Sequence, residues 1–240
     1  MKMKKNIIVI NGSSHVNSIT RILINDLLNR IRLKMGEQNI KVYNVHDLLF
    51  CKGCANCFLN GICPLDNEDR MKKIKTDLMK SDIIILASPT YLKSVSGQMK
   101  VFIDRTSYMT HLFKLAGKTG ILISTGSCNG VDETIEYLNF YAERIGLINI
   151  QKISLKKILD SQNKMEKKLD EIVEKLYIIF HNKELHISQS SENIFQSYKQ
   201  NYKNMFTHFE QNYLYENGID YCDNYKEFIL RRNKCYYKRE

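Results

Sequence analysis

The sequence predicts an α/β protein: a three-layer α/β/α sandwich around a doubly wound, five-stranded parallel sheet, extended on its C-terminal side by helices. Three observations lead there. Short apolar runs alternate with segments of helical period along roughly the first 180 residues. Several runs are apolar at consecutive positions, as burial on both faces of a parallel sheet demands. Most of them end in turns rich in small polar residues, at the strand ends where such sheets hold ligands.

Taken in order, strands are expected at residues 6–10 (NIIVI), 40–45, 82–87 (DIIILA), 119–124 (TGILIS) and 147–153. Helical spacing appears between them at Ile19, Leu23, Leu27 and Ile31, then at Met71, Ile74 and Leu78, then at Met99, Phe102 and Ile103. A fourth period runs through Ile135, Leu138 and Tyr141, and a fifth through Leu169, Ile172, Val173, Leu176 and Ile179. Five βα units in succession make the doubly wound sheet the economical topology, with right-handed crossovers. Five strands fit the flavodoxin-like order 2-1-3-4-5 better than the six-stranded dinucleotide fold. The organisation expected is a flavodoxin-like domain over residues 1–180, with a cysteine-rich loop at 51–64, and an aromatic-rich helical extension over 181–240.

Composition narrows the function classes. With 240 residues and 43% apolar content the chain can bury a sizeable core. The N-terminal apolar run is too short for a signal peptide and no window is long enough to span a membrane, so a cytoplasmic protein is expected. The net charge of +10 is spread among acidic residues with no nucleic-acid module beside it. A solvated basic surface is expected, and no nucleic-acid partner.

After the first strand comes NGSSHVNSIT (11–20), running straight into a helix. Gly12 permits a tight turn, and Ser13, Ser14, Asn17, Ser18 and Thr20 offer donors beside the positive helix end, a cradle for a single phosphate. There is no GxxxxGK[ST] and no GxGxxG, which argues against an NTPase and against a permanently bound dinucleotide. A serine-rich helix cap is the plain alternative. After the third strand, SPTYLKSVSGQMKVFIDRT (88–106) places Pro89 where the strand ends and Tyr91 beside it, suited to a planar heterocycle. After the fourth, STGSCNG (124–130) is another small-residue turn that lets a flat ring approach the backbone closely. Cys128 reads as a small buried apolar residue, and Asp104 with Arg105 as a surface ion pair at a helix end.

Four of the seven cysteines, Cys51, Cys54, Cys57 and Cys63, stand in the thirteen residues CKGCANCFLNGIC. In a reducing compartment such spacing points to metal or redox chemistry. Spacings of two let thiolates converge from one loop on a [4Fe-4S] cluster. Zinc also takes four thiolates, although it usually draws two pairs from separate knuckles, and a loop that binds nothing is the third reading. The array follows the second strand, on the same sheet edge as the three turns.

The segments GSSHVNSIT, SPTYLKSVSGQMKVFIDR and STGSCNG resemble the three flavin-binding loops of the NADPH-dependent FMN reductase family. The cysteine run is similar to that of the iron-sulfur flavoproteins within that family, and the likeness covers roughly residues 5–155. It implies FMN at the carboxyl edge of a flavodoxin-like sheet, reduction by NAD(P)H, and a homodimer or homotetramer. By position it implies that Ser13, His15, Ser18 and Thr20, with Asn17 among them, hold the phosphate. Pro89, Thr90, Tyr91, Ser94, Val95 and Ser96 would line the ring, and Thr125, Gly126 and Ser127 would meet it from the third loop. The sequence departs at His15, where the family often carries arginine, which replaces a permanent bidentate partner with a pH-dependent one. Lys93 and Ser94 replace a small glycine-containing turn.

Residues 181–240 hold eight of the fourteen tyrosines. Phe195, Tyr198, Tyr202, Met205, Phe209 and Tyr213 fall at helical steps, and Tyr221, Tyr225, Phe228, Arg232 and Tyr236 repeat the pattern after Gly218. Two helices are expected; the plain reading packs them on the main domain, and the sharper one has the stripe pack a second subunit in preference to forming a lid. Three functions follow: an FMN and [4Fe-4S] oxidoreductase fed by NAD(P)H or a small redox carrier; a cluster-free FMN, quinone or azo reductase; and a noncatalytic, zinc-stabilised interaction protein.

Overall fold

A computed structural model describes the backbone of residues 4–236 and the side chains of 4–232. Five parallel strands make the sheet: β1 (Asn6–Asn11), β2 (Asn39–Asn44), β3 (Ile83–Tyr91), β5 (Thr119–Gly126) and β6 (Ile148–Lys156). Their spatial order, β2-β1-β3-β5-β6, is the expected 2-1-3-4-5 once the added two-residue strand β4 (Ser94–Val95) is set aside. That short strand folds back antiparallel on β3, pairing Thr90 with Val95 and Tyr91 with Ser94.

The central strands are apolar at successive positions because both faces are covered. Ile7, Val9, Ile83, Ile85, Ile121 and Ile123 face one side, where α1 (Ile19–Met35) and α6 (Gln162–Asn182) pack with Leu23, Leu27, Ile172 and Leu176. Ile8, Ile10, Ile84, Leu86 and Leu122 face the other, under α3 (Met71–Met79), α4 (Gly97–His111) and α5 (Val131–Ile145). A one-residue shift in any central strand would exchange these two sets, so the register is strongly specified.

The C-terminal region departs from expectation. The stripe from Phe195 to Tyr213 is divided between α7 (Gln189–Met205) and α8 (His208–Glu216). The chain turns extended at Phe206, and Thr207 closes a reciprocal capping box with Glu210 at the new helix start. A third helix, α9 (Tyr225–Tyr236), follows, and the side chain of Tyr236 lies outside the described residues. The aromatic face is covered by the chain itself: Phe195, Tyr202, Tyr225 and Phe228 are buried around Phe113 in a third core. The Tyr225 hydroxyl donates to the Gly146 carbonyl at 3.0 Å, tying this core to the turn between α5 and β6. These four aromatic residues therefore need no second subunit to bury them, while Met205 and Tyr221 of the same stripes stay exposed.

Candidate functional site

The first, third and fourth parallel strands lie side by side, so the loops leaving their carboxyl ends form one rim. In register, Asn11 faces Ala87, Ser88 faces Ser124 and Pro89 faces Thr125. The first loop is pulled against the second by backbone bonds. Gly12 N–H donates to the Ala87 carbonyl at 2.8 Å, and the Ser96 hydroxyl donates to the Gly12 carbonyl at 2.7 Å. A Cβ on Gly12 would stand 2.8 Å from Met99 Cβ and 2.9 Å from Ser96 Oγ, so only glycine fits.

Beyond that point the first loop opens to solvent. Ser14, His15, Val16 and Asn17 are exposed. Among the described residues their backbone N–H groups have no acceptor. They precede α1, whose N-cap is Ser18 accepting from Arg21 N–H at 3.2 Å. Unpaired donors at a positive helix end are what an anionic phosphate needs. Asn11, which sequence reasoning missed, shapes this loop. Its Oδ1 accepts from Ser13 N–H at 3.0 Å, and its amide donates to Asn44 Oδ1 at 2.8 Å. An Asn closing a strand ahead of Gly was the available signal.

The second and third loops touch each other. Between Tyr91 and Ser94 the hairpin turn is made by Leu92 (φ 46°) and Lys93 (φ 62°), two non-glycine residues in the left-handed region. A two-residue turn joining twisted strands requires this conformation, which glycine or asparagine usually supplies. Lys93 lies directly over the third loop: a Cβ on Gly130 would come within 2.8 Å of its Cα. The Lys93 ammonium, hydrogen-bonded to Glu133, holds that exposed carboxyl below its usual range. A Cβ on Gly126 would stand 3.3 Å from Thr90 Cβ, and Thr90 Oγ1 lies 3.0 Å from Ser124 Oγ.

The expected site residues divide accordingly. His15, Asn17, Tyr91, Ser94 and Ser127 are exposed along the rim, with Ser18, Pro89, Thr90 and Gly126 half-buried beside them. Thr20 and Thr125 are buried and joined to each other at 2.6 Å, so their hydroxyls brace α1 against β5 instead of facing solvent. Ser96 is fully buried as the N-cap of α4, accepting from Met99 N–H, and Val95 belongs to the core. Ser13 is buried at the base of the loop.

The cysteine loop leaves β2 at the same rim, where Val45 N–H donates to the Asn11 carbonyl. Its anchor is a correction to expectation. Arg105 is not part of a surface pair: its side chain is fully buried, while Asp104 pairs with Lys100 one helical turn back. The Arg105 guanidinium donates to the Leu49 carbonyl (2.9 Å), to Asp69 (2.8 Å) and to Asp66 (2.9 Å), clamping both ends of the 51–63 segment. Burial pushes the Asp69 carboxyl up, but hydrogen bonds from Arg105 and the Leu49 and Met71 N–H groups outweigh it and hold it below the usual range. From the other side, Thr207 ahead of α8 donates to the Phe58 carbonyl at 2.6 Å in the short helix α2 (Asn56–Asn60). Phe209 fills the space that a side chain on Gly61 would take.

Within that clamp Cys51 and Cys54 are exposed, Cys57 is half-buried and Cys63 is buried. Burial pushes the Cys57 thiol up, with neighbouring Cys63 adding to the effect. Among the described residues no three His, Cys, Asp or Glu side chains are gathered to share a metal. The donor set therefore suits a metal in kind but is not assembled around one. Cys128 is half-buried at the third loop. No described helix is long and apolar enough to cross a membrane.

The model of the NADPH-dependent FMN reductase family matches residues 5–156. An iron-sulfur flavoprotein of Clostridioides difficile is 35% identical over 105 residues, covering 43% of this chain and 46% of the relative. One of Methanocaldococcus jannaschii is 34% identical over 131 residues, 53% of this chain and 66% of the relative. The matched region thus spans between about half and two thirds of these curated relatives. Among solved structures, an apo NADH:FMN oxidoreductase superposes with a TM-score of 0.56 at 22% identity, covering 78% of this chain and 94% of that one. An azoreductase from Bacillus anthracis gives 0.54 at 9% identity, over 72% and 98%. These two likenesses speak for the flavodoxin-like fold alone. The family match, which spans well over half of the sequence, shows that the chain belongs to the NADPH-dependent FMN reductase family.

Proposed function

We propose that this protein is an FMN-dependent oxidoreductase that takes electrons from NAD(P)H or a reduced carrier and passes them to an acceptor. The observation that carries the reading is the set of unpaired N–H groups at residues 14–17, placed before α1 and beside the Thr90–Gly126 contact. The residues present fit the group. The first loop and the Ser18 end of α1 bind the phosphate. Pro89, Thr90 and Gly126 offer backbone to a flat ring, with exposed Tyr91 at its side. Bound FMN supplies a two-electron acceptor that can release electrons singly. The chain's own residues orient that ring and limit its access to water, and no side chain is required as general acid or nucleophile.

Cys51, Cys54, Cys57 and Cys63 are further proposed as the thiolate set of a [4Fe-4S] cluster. Support comes from their spacing and from relatives named iron-sulfur flavoprotein. A cluster-free reductase is the second reading, favoured by the ungathered thiols. A second copy of the chain is proposed to cover the rim, because Val16, Phe50, Ile62, Tyr91 and Leu92 expose apolar surface there or on the neighbouring cysteine loop. A homodimer or homotetramer is expected by light scattering.

The deciding experiment is anaerobic purification followed by FMN titration, then reduction by NADH and NADPH in turn, with iron and sulfide analysis. Flavin absorbance that bleaches with either donor supports the oxidoreductase. Folded protein that stays colourless with added FMN removes it. Iron and sulfide in equal amounts separate the cluster reading from the cluster-free one, and zinc without flavin would favour an interaction protein.

A further inference from the structure

At the opposite, amino edge of the sheet lies a cavity of about 730 Å³, bordered by the starts of β1 and β5, the ends of α3 and α6, and the 114–118 turn. Six cationic side chains line it, Lys5, Lys80, Lys114, Lys118, Lys183 and Arg232, against two carboxylates, Asp82 and Glu184. Among the described residues only Lys5 of the six has a carboxylate within ion-pair distance, Asp82 at 3.6 Å. Glu184 is engaged elsewhere, accepting from Asn182 and His186.

The plain account is that these cations hydrogen-bond backbone carbonyls. It covers Lys118, which donates to the Ser81 carbonyl at 2.6 Å, and Arg232, which donates to the carbonyls of Phe113 and Lys114. It leaves the half-buried Lys114 with no anionic partner among the described residues, and at the mouth of the cavity the exposed Lys80 and Lys183. Lys114 Nζ sits 3.7 Å from the centroid of the Tyr213 ring, partly withdrawn from water. Burial lowers the pKa of Lys114 and of Lys118 to about 8, with Arg232 adding to the effect at both and Asp82 opposing it at Lys118. Partly desolvated ammonium groups without a counter-ion are unfavourable, and an anion in the cavity would relieve them.

We propose that this cavity is a second binding site, separate from the carboxyl rim, for a phosphorylated small molecule of nucleotide size. Its volume falls within the range of about 300–1,000 Å³ usual for small-molecule sites. Ala116, Ile179, Phe180 and Leu185 give it an apolar wall for a non-ionic portion. Several cations converging on one space suit phosphoryl oxygens better than a single carboxylate.

Calorimetric titration of ADP and of pyrophosphate, at fixed ionic strength into protein preincubated with FMN, tests the site. Flavin retention is read from the same sample's absorbance, so failure of the flavin reading is seen separately. Saturable binding of at least one probe is expected, weakened about tenfold or more in Lys114→Met and in Lys118→Met. Lys52→Met, at the other edge of the sheet, should leave it unchanged. Binding by pyrophosphate as well as ADP assigns recognition to the phosphates, and binding by ADP alone adds the apolar wall. No saturable binding of either probe, or binding that the two substitutions leave untouched, overturns the proposal. Lys183→Met, on the surface, carries the same comparison if a buried-lysine variant fails to fold.

Discussion

Replacing Arg105 with methionine removes a fully buried side chain that, together with Asp69 and Arg70, ties the two ends of the cysteine loop to each other. In the folded protein its guanidinium is fully buried and satisfies Asp69, Asp66 and the Leu49 carbonyl. Asp66 keeps Lys75 at 2.8 Å, but Asp69, 5% exposed, would retain only its backbone donors. Breaking a buried ion pair from one side costs about 3–5 kcal/mol. For a chain of this size that corresponds to a fall in Tm of roughly 6–20 °C. Arg105→Lys keeps the charge but loses the two-pronged geometry, and should fall between.

The pH dependence follows from the direction of the Asp69 shift. Its folded carboxyl is held below the ordinary value of 3.8, so the stabilisation is fully present above that pH and is lost as pH falls through the depressed value. The gap between wild type and Arg105→Met should therefore be widest near neutrality and close in acid. Thermal melts by circular dichroism from pH 3 to pH 7, with thiol labelling of Cys63 as a reporter of loop opening, measure both. A loss below about 1 kcal/mol at pH 7, the size expected of a surface pair, would refute the buried-clamp reasoning.

Other outcomes are expected at the rim and in the third core. Gly12→Ala places a methyl 2.8 Å from Met99 Cβ and should weaken FMN binding about tenfold through overpacking, measured by fluorescence titration. Lys93→Gly relieves a left-handed residue and should raise stability by about 1 kcal/mol in urea melts; a decrease would mean that the Lys93–Glu133 contact outweighs the strain. Tyr225→Phe deletes the hydrogen bond to Gly146 and should cost about 1 kcal/mol, because that carbonyl keeps Gly117 N–H as a second donor.

The candidate site was legible where chemistry is local. Gly12, Gly126 and the small polar turns could be read from sequence because a tight turn leaves few residue choices. Thr20, Thr125 and Ser96 could not be told from ligand-facing hydroxyls, since their partners lie 105, 105 and 84 residues away in the chain. The same limit hid Arg105: an Asp-Arg pair looks the same in sequence whether its helix is exposed or covered by a loop from 36 residues earlier, and here the pair lies inside α4, not at its end.

By itself the sequence determined the five parallel strands, the two-sided burial of the central ones and the order of the sheet, because periodicity and right-handed crossovers leave few alternatives; the short strand β4 was not legible in it. Only the tertiary structure decided where the aromatic stripe goes. Apolar spacing states that a face must be buried, not what buries it, and here α7 and α9 close on Phe113 within one chain. It also decided that lysines scattered from Lys5 to Lys183 meet at one edge, because strands that run parallel bring all their amino ends to the same side of the sheet.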